Sequence, residues 1–105
     1  NLFKTKNKFY AVTLGENGVM WIDNHQAYFC KPLKIKVVET NGAGDVFHGA
    51  FTYSVDQNNN INHAMKFATA AATLKCTKKG GIRSLPSLNS VNKLAAKLKI
   101  IKVLT

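Results

Sequence analysis

The sequence predicts an α/β fold in which strands come first, two of them as a hairpin, and helices follow. Three observations carry this. Short apolar segments of strand length crowd the first 39 residues. From residue 44 onward the apolar residues recur at helical spacing instead. The two regimes meet at a turn of very small residues, Gly42-Ala43-Gly44, with Asp45 directly behind it.

"FYAVTLG" (9–15) is a buried strand closed by a glycine. "GVMWI" and "QAYFC" flank Asp23-Asn24-His25, which makes a β-hairpin with a polar turn. "LKIKVVE" (33–39) alternates and then becomes fully apolar, predicting a fourth strand. No room for a helix remains among these four. Phe47, Ala50, Phe51 and Ser54 then mark one face of a helix running from Gly44 to about Val55. "DQNNNIN" is a polar loop in which Asn60 or Asn62 can cap the next helix. That helix has Ile61, Ala64, Met65, Ala68, Ala71 and Ala72 on its inner face, small enough for close packing, and "KKGG" ends it. After Pro86 a last amphipathic helix places Val91, Leu94, Ala95 and Leu98 inside. Strands followed by helices, with no start to an α/β alternation, predict the C-terminal part of a larger α/β protein. Sheet surface left uncovered in such a part favours homo-oligomers.

Bulk properties narrow the function. The 105 residues are 46% hydrophobic and 19% charged, which suits one globular domain or a piece of one. No apolar run is long enough to form a membrane-spanning helix, and "NLFKTKNKFY" lacks a signal peptide's apolar centre. Cys30 and Cys76 fit no metal-ligand spacing and are a thin disulfide framework, so reduced thiols and a cytoplasmic location are expected. The net charge of +10 raises nucleic acid as a partner. Yet lysines supply that charge with a single arginine, Arg83, and they are scattered among many asparagines. Recognition of phosphates and base edges favours the arginine fork, so the charge reads as a solvated surface.

The small turn points to chemistry. A helix N-terminus presents unpaired N–H groups and partial positive charge. Gly42, Ala43 and Gly44 have almost no side chain to keep an anion away, so their amides can converge on phosphate oxygens. Asp45 is out of place beside a phosphate unless it takes the proton from a hydroxyl that attacks phosphorus. Positioning, charge stabilisation and a base are what phosphoryl transfer needs. The plainer reading is a tight strand-to-helix connection with Asp45 as N-cap. Other residues have plain readings too. His48, one turn after Asp45, reads as a polar helix residue with a structural hydrogen bond, and Lys78 and Lys79 as solvated lysines at a helix end. Trp21 and Tyr28 read as packing residues, and Ala64, Ala68 and Ala72 as core.

"ETNGAGDVFHGAF" (39–51) resembles the C-terminal signature of the ribokinase-like (PfkB) carbohydrate kinases. "VTLGENGV" is similar to that family's strand and turn approaching the nucleotide phosphates, and "AMKFATAAATLKCTKKGG" to its Ala-rich helix and basic-Gly turn. The resemblance spans roughly residues 9–99. It implies the C-terminal part of a three-layer α/β/α fold with a mostly parallel sheet, residues 1–105 being a partial kinase domain with its nucleotide-binding and catalytic portion. It implies ATP-dependent phosphorylation of a sugar hydroxyl, with ribose or a ketose such as fructose as the first candidates. Asp45 would then be the general base and Gly42, Ala43 and Gly44 the anion hole. Thr13, Gly15 and Gly18 would lie along the phosphates and Thr69 near the nucleoside. ATP and Mg2+ are the implied cofactors. K+ is an additional one, at Glu39, Asn41, Lys75, Lys78, Gly80 and Ser84, mostly through backbone carbonyls. Glu39 stands where the family's usual residue is Asp, which lengthens one cation ligand by a methylene. The 105 residues alone are expected to be inactive, because the walls of a sugar site are not among them. The competing readings are a noncatalytic relative that binds nucleotide or a partner, and a basic nucleic-acid module.

Overall fold

The computed structural model describes residues 2–4, 9–34, 37–38, 40–77 and 85–103. Its first half is β1 (Leu2–Lys4), β2 (Tyr10–Thr13), β3 (Val19–Asp23) and β4 (Gln26–Cys30). Three helices follow, α1 (Ala43–Asp56), α2 (Ile61–Lys75) and α3 (Leu88–Ala95), and the chain returns as β5 (Ile100–Val103). The strands form one sheet in the order β1-β2-β3-β4-β5, with every pairing antiparallel. The mostly parallel sheet implied by the family resemblance is therefore not the geometry of this section. Connections as short as those between β2, β3 and β4 can join only antiparallel neighbours.

The predicted hairpin is β3–β4. Asn24 and His25 sit at φ 50° and 69°, both positive, as a two-residue turn matched to the strand twist requires. The register sets Trp21 opposite Tyr28 and Ala11, and Val19 opposite Cys30. This row faces inward. The core joins Phe9, Ala11, Val19, Trp21 and Cys30 to Phe47 of α1, to Met65, Phe67, Ala68, Ala70 and Ala71 of α2, and to Val91, Ala95 and Leu98 at the α3 end. Helix α2 packs on α1, on α3 and on β4, and its alanines let neighbours come close on more than one side. Trp21 stacks on Tyr28 at 5.7 Å, and its indole N–H donates to Asn62 Oδ1 at 2.9 Å, pinning the sheet to the start of α2. Both aromatics are packing residues, as the sequence suggested.

The opposite face of the sheet is different. Val12, Met20, Phe29 and Ile101 form one cross-strand row, and Tyr10 and Ile22 pair in the next. All but Phe29 are exposed large apolar residues. No described element covers them.

Segment 33–39 corrects an expectation. Leu33, Lys34, Val37 and Val38 belong to no strand, and residues 35, 36 and 39 lie outside those described. The edge of β4 that such a strand would take is occupied by β5, and the Val38 N–H donates instead to the Cys76 carbonyl at 2.7 Å. The last helix is also shorter than its pattern, ending at Ala95, although Leu98 remains buried beyond it. Asn60, rather than Asn62, caps α2 by accepting from the His63 N–H at 2.8 Å. Ser87 does the same for α3. The "KKGG" stop falls on residues 78–81, outside those described.

Candidate functional site

Helix α1 opens on Gly42, its N-cap, at φ 81° and ψ −1°. That left-handed conformation costs a residue with a Cβ and suits glycine. The turn closes with Ala43 N–H donating to the Thr40 carbonyl (3.2 Å) and Val46 N–H to the Gly42 carbonyl (3.0 Å). The N–H groups of Gly44 and Asp45 have no acceptor within the helix, as at any helix start. Asp45 stands in the first turn, exposed, where its charge also favours the helix dipole. The N-cap position belongs to Gly42, so Asp45 does not perform the capping role that was its plainer reading. Its carboxylate has no hydrogen-bond partner among the described residues and lines the end of an open, mostly apolar cleft of about 570 Å³. Val46, Gly49 and Tyr53 of α1, Phe67 and Ala71 of α2, and Pro86 are among its other lining residues. His48, on the next turn, is exposed and meets the Phe47 ring edge-on at 6.3 Å.

The residues expected along the phosphates lie at one end of the sheet. Thr13 ends β2, Gly15 at φ 61° begins a short 3-10 turn, and Gly18 at φ 114° leads into β3. Leu14 N–H closes this turn onto the Gly18 carbonyl at 2.8 Å. A Cβ on Gly18 would meet the Cys30 carbonyl oxygen at 2.5 Å, so only glycine fits. Helix α2 runs toward this end of the sheet. It starts with Asn62 beside Trp21 and passes Cys30 near Thr69, and its C-terminus meets Val38 and Gly42. The Gly15–Gly18 turn and the Gly42–Asp45 turn therefore belong to the same end of the molecule.

Thr69 is buried, and its hydroxyl donates to the Met65 carbonyl at 2.7 Å, so in this conformation it presents no free donor to a ligand. The Cys30 thiol is pushed up from its ordinary pKa by burial, an effect opposed by the Thr69 side chain and by the charge of Lys66. The Cys76 thiol is also pushed up by burial, opposed by the charge of Lys75. Of the cation set, Asn41 and Lys75 are described, whereas Glu39, Lys78, Gly80 and Ser84 lie outside the described residues.

Sequence reasoning missed one feature. Lys75, at the end of α2, is 2% exposed, and its Nζ is buried with no hydrogen-bond partner. A Cβ on Gly42 would lie 3.8 Å from its Cε, so the side chain passes close beside the glycine turn. A lysine in a helix's last turn reads as solvated. The one local hint was its position between the apolar Leu74 and Cys76.

Residues 1–88 match the pfkB family carbohydrate kinase. A ribokinase of Lactococcus lactis is 37% identical over 102 residues, which cover 97% of this chain and 33% of that protein. A ribokinase of Arabidopsis thaliana, solved in complex with ribose and ATP, superposes with a TM-score of 0.76 at 33% identity over 84% of this chain and 29% of its own. Phosphofructokinase-2 of Escherichia coli, solved in complex with potassium, superposes with a TM-score of 0.75 at 28% identity over 86% of this chain and 28% of its own. The chain thus spans about a third of the length of the relatives it matches. Its fold is that of a section of the ribokinase-like α/β proteins, and it belongs to the pfkB family of carbohydrate kinases.

Proposed function

We propose that the protein carrying this chain transfers the terminal phosphoryl group of ATP to a hydroxyl of a small sugar, with Asp45 as the general base. One observation carries the reading. A glycine in the left-handed conformation opens α1, and the carboxylate three residues on is neither capping nor paired, standing exposed at a cleft. The turn amides and the dipole of α1 would hold the phosphoryl oxygens as their charge develops. Asp45 would take the proton of the sugar hydroxyl as its oxygen bonds to phosphorus, while the bond from phosphorus to the bridging oxygen breaks and ADP leaves. Thr13, Gly15 and Gly18 would border the phosphates from the sheet end, and Thr69, buried on α2, would lie near the nucleoside. The ribokinase relatives favour ribose as the sugar.

Mg2+ fits as a companion of the nucleotide and not as an ion held by these residues alone. Among the described residues no group of three or more His, Cys, Asp or Glu side chains is placed to hold a metal. Bound with the phosphates, it would neutralise part of their charge. A monovalent cation at Glu39, Asn41, Lys75, Lys78, Gly80 and Ser84 is part of the same proposal, in keeping with the potassium complex of the phosphofructokinase relative.

The test is Asp45→Asn in the full-length protein. Asn keeps the size of the side chain but cannot accept the proton, so turnover should fall by about 10²–10⁴-fold while thermal stability and ATP binding hold. Near-normal turnover would overturn the assignment. A wild-type protein that binds ATP yet phosphorylates no sugar would identify a noncatalytic relative.

A further inference from the structure

We propose that the buried Lys75 ammonium is the fixed counter-charge of the anion site at the α1 N-terminus, placed to hold the terminal phosphoryl group of a nucleoside triphosphate. The inference rests on the phosphoryl-transfer reading above and adds to it a residue that no helix-start pattern reveals. Three features converge on one spot. The start of α1 presents the positive end of its dipole. Gly42, in the left-handed conformation, leaves the approach bare of side chain. Beside it, Lys75 has its Cε 3.8 Å from the position a Gly42 Cβ would take, with Nζ one bond further and unpartnered.

Taking an ammonium out of water without a partner is strongly unfavourable, and a protein keeps one so placed only where something offsets the loss. Residual attraction through a thin, water-poor layer is stronger than across solvent and is screened little by salt. A phosphoryl group arriving at the turn would meet both the helix dipole and this charge. Nζ is buried beside the turn, so its charge would act on the ligand at short range through the protein rather than through solvent. The competing account is that the methylene stem merely fills the gap between α1 and α2, with the charge incidental.

The experiment compares Lys75→Met with the unmodified full-length protein. Methionine keeps the apolar stem and removes the charge. Binding of a non-hydrolysable ATP analogue should weaken by about 10- to 100-fold, whereas binding of adenosine should be nearly unchanged. Stability should hold or rise, since an unpaired buried charge is gone. Unchanged affinity for the analogue overturns the proposal. A second measurement needs no variant, so a misfolded Lys75→Met would not end the test. Inorganic tripolyphosphate at constant ionic strength should raise the thermal midpoint of the unmodified protein, and no rise overturns the proposal. Asp45→Asn is run alongside. Normal turnover there sinks the kinase reading, while lost turnover with unchanged analogue binding in Lys75→Met sinks only the role of Lys75.

Discussion

A side chain at position 18 would begin 2.5 Å from the Cys30 carbonyl oxygen, on a backbone at φ 114° that L-residues rarely adopt. Gly18→Ala should therefore cost about 1–3 kcal/mol or more, because strain and overlap act together and the obstacle is backbone that cannot swing away. Gly15, three residues earlier, is also at positive φ, but no atom lies within 4 Å of a Cβ there, and Asn tolerates that region. Gly15→Asn should be nearly neutral. Denaturant midpoints of the two variants check the contrast, and equal losses would show that the close approach at Gly18 does not govern its cost. At this scale much of the site was legible. Gly42 and Asp45 could be read because a bare turn and a carboxylate at a helix start are a local pattern. The burial of the Lys75 side chain could not, because it involves the distant glycine turn, and nothing in "TLKCT" records that contact.

Elements are held by their ends as well as by their faces. Helix α2 has no acidic residue in its first turn, so the Asn60 side chain is the chief relief for its N-terminal amides. Asn60→Ala should destabilise the fold by about 1 kcal/mol. Asn60→Ser or Asn60→Asp should recover most of that loss, and thermal midpoints of the three variants decide it. Element type was largely readable, since short apolar segments bounded by glycine or a polar turn marked β2, β3 and β4 and helical spacing marked the three helices. Element pairing was not. "LKIKVVE" has a strand's composition, yet its described residues join no strand of the sheet, and "IIKV", some 65 residues later, takes the edge of β4. Propensity is local, whereas a sheet edge goes to whichever segment the helices return to it. β5 went unforeseen for the same reason.

On the scale of the molecule, one face of the sheet carries the helices and the other has Tyr10, Val12, Met20, Ile22 and Ile101 open to solvent among the described residues. A contiguous apolar face of this kind favours association. The isolated 105-residue chain should therefore form dimers or larger species through this face at high concentration. Met20→Lys with Ile101→Lys should shift it toward monomer without altering the helical side. Light scattering at several concentrations checks this, and a wild-type chain that stays monomeric throughout would count against it. The fold class was readable at this scale from the strand-then-helix order, but the antiparallel course of the sheet followed only from the short turns and the late return of β5.

The Trp21–Asn62 bond has a practical consequence. Trp21 is the chain's single tryptophan, it is 1% exposed, and its indole is tied across from the sheet to the first turn of α2. Its fluorescence therefore comes from one environment and reports one event, the seating of that helix on the strands. Separation of the two layers would wet the ring and move its emission to longer wavelength, even if each layer kept its own hydrogen bonds. Far-ultraviolet dichroism sees those backbone bonds instead, so recording the two signals together separates loss of docking from loss of secondary structure. Because Trp21 meets the start of α2, whereas the Gly42 turn meets its C-terminus, the same signal can follow stability in variants of that turn without the substituted residue touching the fluorophore.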